Sequence, residues 1–88
     1  MLSLPAKDAN AFFGKAVRSL REEAGLTQEQ VADRSESRLS ASWISNVEQG
    51  KVDPTRHTVR NIARGIGVLP SQIEALTEVL EGISQQEG

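Results

Sequence analysis

Cysteine is absent from the 88-residue chain, which excludes disulfides and thiolate-bound metal. Aromatic residues are scarce, with two phenylalanines, one tryptophan and no tyrosine. No apolar–polar alternation and no Asn-Gly turn is present, so nothing signals a strand. No apolar run reaches the ~18 residues of a membrane span, and MLSLPAKDAN lacks the apolar stretch of a secretory signal. A cytoplasmic location is therefore expected. Histidine occurs once, at His57. No nucleophile–base pair, phosphate-cradling glycine loop or metal-ligand spacing can be found, and neighbouring carboxylates such as Glu22 and Glu23 diverge on a helix. The expectation is a chain with no catalytic site, no metal and no cofactor.

What is present suits one small domain with a modest core, a size class that often gains stability by oligomerising. The formal net charge is −2, but it is unevenly spread. Between Arg38 and Arg64 stand five basic residues (Arg38, Lys51, Arg56, Arg60, Arg64) against Glu48 and Asp53, a local +3. From Val68 to Gly88 there are four glutamates and no Lys or Arg, a local −4. One end is basic and the other acidic, which is either a functional polarity or ordinary surface charge.

The apolar spacing is helical throughout. Helix one is expected over Ala9–Ala24, with Phe13, Ala16, Val17, Leu20 and Ala24 as its apolar stripe and Gly25 as its stop. Thr27, with Gln30 three residues on, forms a capping box for helix two, Gln28–Arg34, whose Val31 and Ala32 point inward. Ser40 caps helix three, which reaches Glu48 and stops before Gly50. Thr55 caps helix four, Arg56–Gly65, which buries Val59, Ile62, Ala63 and Ile66. Ser71 and Glu74 have capping-box spacing for helix five, Gln72–Leu80, after a break at Gly67 and Pro70, and the final residues look frayed. The division expected is an arm at 1–8, a helical domain at 9–76, and a helix end and tail at 77–88 that contributes a dimer contact.

Helix three is unusual. Trp43, Ile44 and Val47 have helical spacing, yet Ala41, Ser42, Ser45, Asn46 and Gln49 between them are small or amide-bearing. Two helices joined by a turn, the second with a short, uncharged, hydrogen-bonding face, describe a helix-turn-helix. Its second helix enters the DNA major groove, about 12 Å wide, where amides and hydroxyls pair with base edges and long acidic residues are repelled by phosphate.

Three stretches, GLTQEQVADRS, SWISNVEQGK and DPTRHTVRNIARGIGV, closely resemble the phage-repressor-like helix-turn-helix family, the XRE or Cro/CI type. The resemblance runs from Phe13 to Leu76 and implies an all-α, compact five-helix lambda-repressor-like bundle that binds DNA, usually as a dimer and usually to regulate transcription. The chain departs from the family pattern between helices two and three. That connection is longer than usual and has no glycine, so Ser35–Leu39 must bulge or lengthen helix two, with Leu39 plugging the core.

With Ile44 and Val47 facing in, Ala41, Ser42, Ser45 and Asn46 face out. The resemblance matches Ala41, Ser42 and Asn46 to base-contacting positions. Asn46 can pair bidentately with adenine, and Ala41 offers a methyl to thymine. Gln28 matches a glutamine that grips phosphate at a helix N-terminus. Ser40, Gln49 and Lys51 flank the groove as phosphate contacts, and Arg38 and Arg56 are further candidates. Trp43 is either a core residue over helix two or an edge residue donating its indole N–H to phosphate. The resemblance also pairs Arg21 with Glu48 as a structural ion pair that orients helix three. Arg64, farther along helix four, is expected to be solvated, and His57 either solvated or adjacent to phosphate.

The function expected is a sequence-specific regulator of transcription that binds double-stranded DNA, a repressor, acting as a homodimer on a palindromic operator. Ile73, Leu76, Val79, Leu80 and Ile83 exceed what one terminal helix can hide, and Ile73 and Leu76 are expected in the core. Small members of the family include phage-type repressors, antitoxins and controllers of restriction–modification systems. The alternative is a protein-interaction module that sequesters an unknown protein partner, with DNA binding secondary. The basic row and the short polar face weigh against it.

Overall fold

The computed structural model describes residues 6–35 and 39–87. Five helices succeed one another: α1 Ala6–Glu23, α2 Gln28–Arg34, α3 Ala41–Glu48, α4 Arg56–Ile66 and α5 Pro70–Glu87. No strand occurs among the described residues.

Local chemistry sets most boundaries. Thr27 Oγ1 accepts the Gln30 N–H at 3.1 Å while Gln30 Oε1 accepts the Thr27 N–H at 2.9 Å, so both halves of the capping box form. Ser40 Oγ accepts the Trp43 N–H at 3.1 Å and Thr55 Oγ1 that of Thr58 at 3.2 Å. Gly25, at φ 72°, lets the chain turn sharply after α1. Two expectations are corrected at the ends of α1. The helix starts at Ala6, and Ala24 is exposed in the turn rather than part of the stripe, because the helix ends at Glu23.

Helix five departs most from expectation. It starts at Pro70 and continues to Glu87, through residues expected to fray. Proline breaks a helix interior but costs nothing at the first helical position, where its missing N–H has no partner to lose. The expected Ser71–Glu74 box is not what starts the helix. Gln72 Oε1 accepts the Leu69 N–H at 2.7 Å instead, placing the cap two residues earlier. At the other end, Leu76 and Leu80 pack on the core and carry the helix onward.

All five helices contribute to one core: Phe13, Ala16 and Val17 from α1, Val31 and Ala32 from α2, Ile44 and Val47 from α3, Val59, Ile62, Ala63 and Ile66 from α4, and Ile73 from α5. Full burial of each larger side chain contributes about 1.5–3 kcal/mol. Leu39 and Trp43 pack against this core from its edge. α1 lies along α5 and α3, and α2 sits between α3 and α4. Two crossings are close enough to require glycine. A methyl on Gly14 would meet the backbone of Val47 and Glu48 in α3, and one on Gly65 would meet the Val31 carbonyl in α2.

Candidate nucleic-acid interface

α3 is eight residues long, too short to persist on its own. Its position is set by what holds it. Ile44 and Val47 are fully buried and fix one face toward the core. At its end, Gly50 adopts φ 80°, the Gly50 N–H donates to Val47 O at 3.0 Å and the Lys51 N–H to Asn46 O at 2.9 Å. These two bonds are the Schellman closure of a helix C-terminus.

Glu48, the last residue of α3, ties the helix to both preceding ones. Its carboxylate accepts Arg21 Nε at 2.6 Å and Nη2 at 3.0 Å, a bidentate pair with side chains only 13% and 5% exposed. Arg21 Nη1 also donates to Leu26 O in the α1–α2 turn at 2.9 Å. The hydrogen-bonded carboxylate raises the Arg21 guanidinium above its ordinary value, against the desolvation that lowers it. Gln28 Nε2 from the first turn of α2 completes the cluster, donating to Glu48 Oε1 at 3.0 Å. One Gln28 N–H is therefore committed to Glu48, and only the other can meet a phosphate.

With that side anchored, the opposite face of α3 is the short polar one. Ser42 and Asn46 are exposed, while Ala41 and Ser45 are half-buried. Gln49 Nε2 donates to Ser45 Oγ at 2.8 Å, which leaves the Ser45 hydroxyl hydrogen to donate outward. Ser40 is exposed, but its hydroxyl oxygen already serves as the α3 cap. Trp43 is half-buried against the core edge. Gln49 is exposed, as is Lys51 just beyond the helix. Arg56 is exposed at the start of α4, where it lines a cleft with Phe13, Pro54, Val59 and Glu74, Glu78 and Glu81 of α5. His57, Arg60 and Arg64 are exposed along the same helix. Arg38 lies outside the described residues.

Two links are not among the sequence-based expectations. One is Gln28 to Glu48, which no local spacing signals. The other is at Ser35, buried at the C-terminus of α2. α2 ends at Arg34, so the long connection does not lengthen that helix. Among the described residues, no group of three or more His, Cys, Asp or Glu is placed to hold a metal ion, and no helix is long and apolar enough to cross a membrane.

The sequence model of the helix-turn-helix domain family matches residues 13–76. The chain is 37% identical over 70 residues to an uncharacterized HTH-type transcriptional regulator of Sinorhizobium fredii, covering 80% of this chain and 86% of that protein. It is 30% identical over 60 residues to the immunity repressor protein of Bacillus phage phi105, covering 68% of this chain and 40% of the repressor. Among solved structures, the restriction-modification controller protein of Aeromonas hydrophila superposes with a TM-score of 0.71 at 26% identity, over 80% of this chain and 99% of the controller. The clp gene regulator ClgR of C. glutamicum has a TM-score of 0.72 at 21% identity, over 80% of this chain and 88% of ClgR, a likeness of fold alone.

Proposed function

Because the chain belongs to the helix-turn-helix domain family and is a DNA-binding transcriptional regulator, we propose that it represses transcription by reading a palindromic operator through α3 as a homodimer. The observation that carries this reading is the division of α3 into two faces. Ile44, Val47 and Glu48 are held inward, while exposed Ser42 and Asn46 form an uncharged face suited to base edges. Ser45, whose hydroxyl can still donate while its oxygen accepts from Gln49, and Ala41 flank them as the remaining base contacts. Gln28, Arg38, Ser40, Trp43, Gln49, Lys51 and Arg56 are the phosphate contacts of this reading. Gln28 uses the N–H that Glu48 does not take. The protein needs no cofactor and has no catalytic role, and it works in the cytoplasm.

The surface of α5 supports the homodimer. Leu69, Val79 and Ile83 are 65%, 54% and 49% exposed, and they are the large exposed hydrophobics among the described residues. Val79 and Ile83 are one turn apart, and Leu76 lies beside them. Gln72 and Ala75, which share that side, carry no charge. Helical periodicity sets Glu74, Glu78 and Glu81 on the other flank of the buried Ile73, so a second copy meets no like-charge row. Such a dimer sets its two α3 helices into successive major grooves about 34–36 Å apart.

Selection from a randomised duplex pool at about 0.15 M salt, a concentration that must be stated for any such affinity, is expected to enrich a palindrome with half-sites near one helical turn apart. Ser42→Ala with Asn46→Ala is expected to weaken binding to that site by about 1–3 kcal/mol for the lost amide pair, with dimerisation intact. Unchanged affinity would place the reading face elsewhere. Val79→Glu with Ile83→Glu is expected to yield a folded monomer in sedimentation. If the unaltered protein is already monomeric at high micromolar concentration, the dimer is refuted.

A further inference from the structure

The connection between α2 and α3 is where this chain departs from a short glycine turn, and Ser35 stands at its start. The residue is 5% exposed and is the C-cap of α2, in extended conformation at φ −70° and ψ 155°. Its backbone N–H donates to Val31 O at 3.0 Å, as the α2 ladder requires. Its side chain makes two further bonds. The hydroxyl donates to Ala32 O at 2.7 Å, and its oxygen accepts the Leu39 N–H at 3.2 Å. One hydroxyl thus joins the last turn of α2 to a residue four positions on.

That bond acts directly on the entry to α3. Ser40 is the N-cap of α3, and its neighbour Leu39 packs against the core. The chain enters α3 from a residue held on one side by core packing and on the other by the Ser35 hydroxyl. The angle at which α3 starts depends on where Leu39 is held. Ser35 is buried and the bond it accepts is part-buried, shielded from the water that would otherwise compete for it. A shielded amide without an acceptor is costly, so the Leu39 N–H favours the position in which the Ser35 hydroxyl accepts it. The far end of α3 is already fixed through Glu48, and the near end has Ser35.

We propose that Ser35 is a positioning residue for DNA recognition: its hydroxyl closes the α2–α3 connection and fixes the angle at which α3 meets the base edges. The proposal rests on the reading of α3 as the recognition helix. It goes beyond that reading in assigning sequence discrimination to a residue that touches no DNA.

The test has two parts. In the unaltered protein, amide exchange at Leu39 is expected to be slowed at least tenfold relative to an unstructured amide. Exchange at the unstructured rate overturns the proposal, and this arm needs no variant and no DNA. In Ser35→Ala, affinity for the selected operator is expected to fall about tenfold, with binding to unrelated duplex changed less than twofold. Ser35→Thr, which keeps the hydroxyl, is expected to recover the operator preference. A merely structural role for Ser35 would lower both affinities together, in step with the unfolded fraction, and that result overturns the proposal. If the unaltered protein prefers no duplex, the recognition-helix reading fails, while the Leu39 exchange still decides whether the closure exists.

Discussion

Arg21→Ala is expected to destabilise the protein by about 3–5 kcal/mol, the range for stranding one member of a buried ion pair. The guanidinium is the donor for three of the bonds that join α1 to its neighbours: two to Glu48 and one to Leu26 O. Its removal leaves a carboxylate 5% exposed, with the Gln28 amide as its remaining described partner. At about 4–8 °C per kcal/mol for a domain of this size, the thermal midpoint should fall by roughly 12–40 °C. A loss below about 1 kcal/mol in urea titration would show that the pair contributes little. Arg21→Met with Glu48→Leu gives the complementary result. Apolar replacement of a whole buried pair is often neutral or stabilising, so the double variant should recover most of the stability. Gln28 then has no acceptor in Glu48, and operator affinity should remain reduced. The raised guanidinium pKa implies stability that is present below the unfolded value and lost only as pH rises through the folded one. Arginine titrates so high that this contribution is constant through the neutral range.

Gly14→Ala should be nearly as damaging, at about 3 kcal/mol, the upper end for overpacking. The added methyl would come within 2.8 Å of Glu48 O and closer still to Val47 O. Both obstacles are α3 backbone, which cannot rotate aside as a side chain can. The helices must separate, and the bidentate pair at the end of α3 is stretched as they do. Gly82→Ala is the control, because a methyl there meets nothing within 4 Å. It should stabilise α5 by about 0.5–1 kcal/mol through helix propensity. If Gly14→Ala proves as mild as the control, the crossing is looser than its geometry.

The features most legible in the sequence are those written within a few residues. Thr27, Ser40 and Thr55 announce helix starts because each hydroxyl reaches an amide three residues on, and the inward Ile44 and Val47 separate themselves from Ser42 and Asn46 by period alone. Arg21 and Glu48 are 27 positions apart, and only family resemblance joins them. Nothing in the spacing shows that the Gln28 amide is turned back onto Glu48, since the residue stands where a phosphate contact is expected. α5 outruns its expected bounds for a related reason. Pro70 looks like a break and the final residues look frayed locally, but the first sits at a helix start and the others are carried within a helix that Leu76 and Leu80 anchor. Gly14 carries no turn signal, because its constraint is the backbone of another helix.

The division of α3 also bears on how such a protein can change. Its stability comes from Ile44, Val47, Glu48 and the turn at Gly50, and the described contacts that fix the helix do not use the side chains of Ser42 or Asn46. Substitutions at those two positions therefore leave the folded population almost untouched. Under the proposed reading of α3, a lineage could explore new operators by single steps there without passing through unfolded intermediates, while the anchoring face stays fixed.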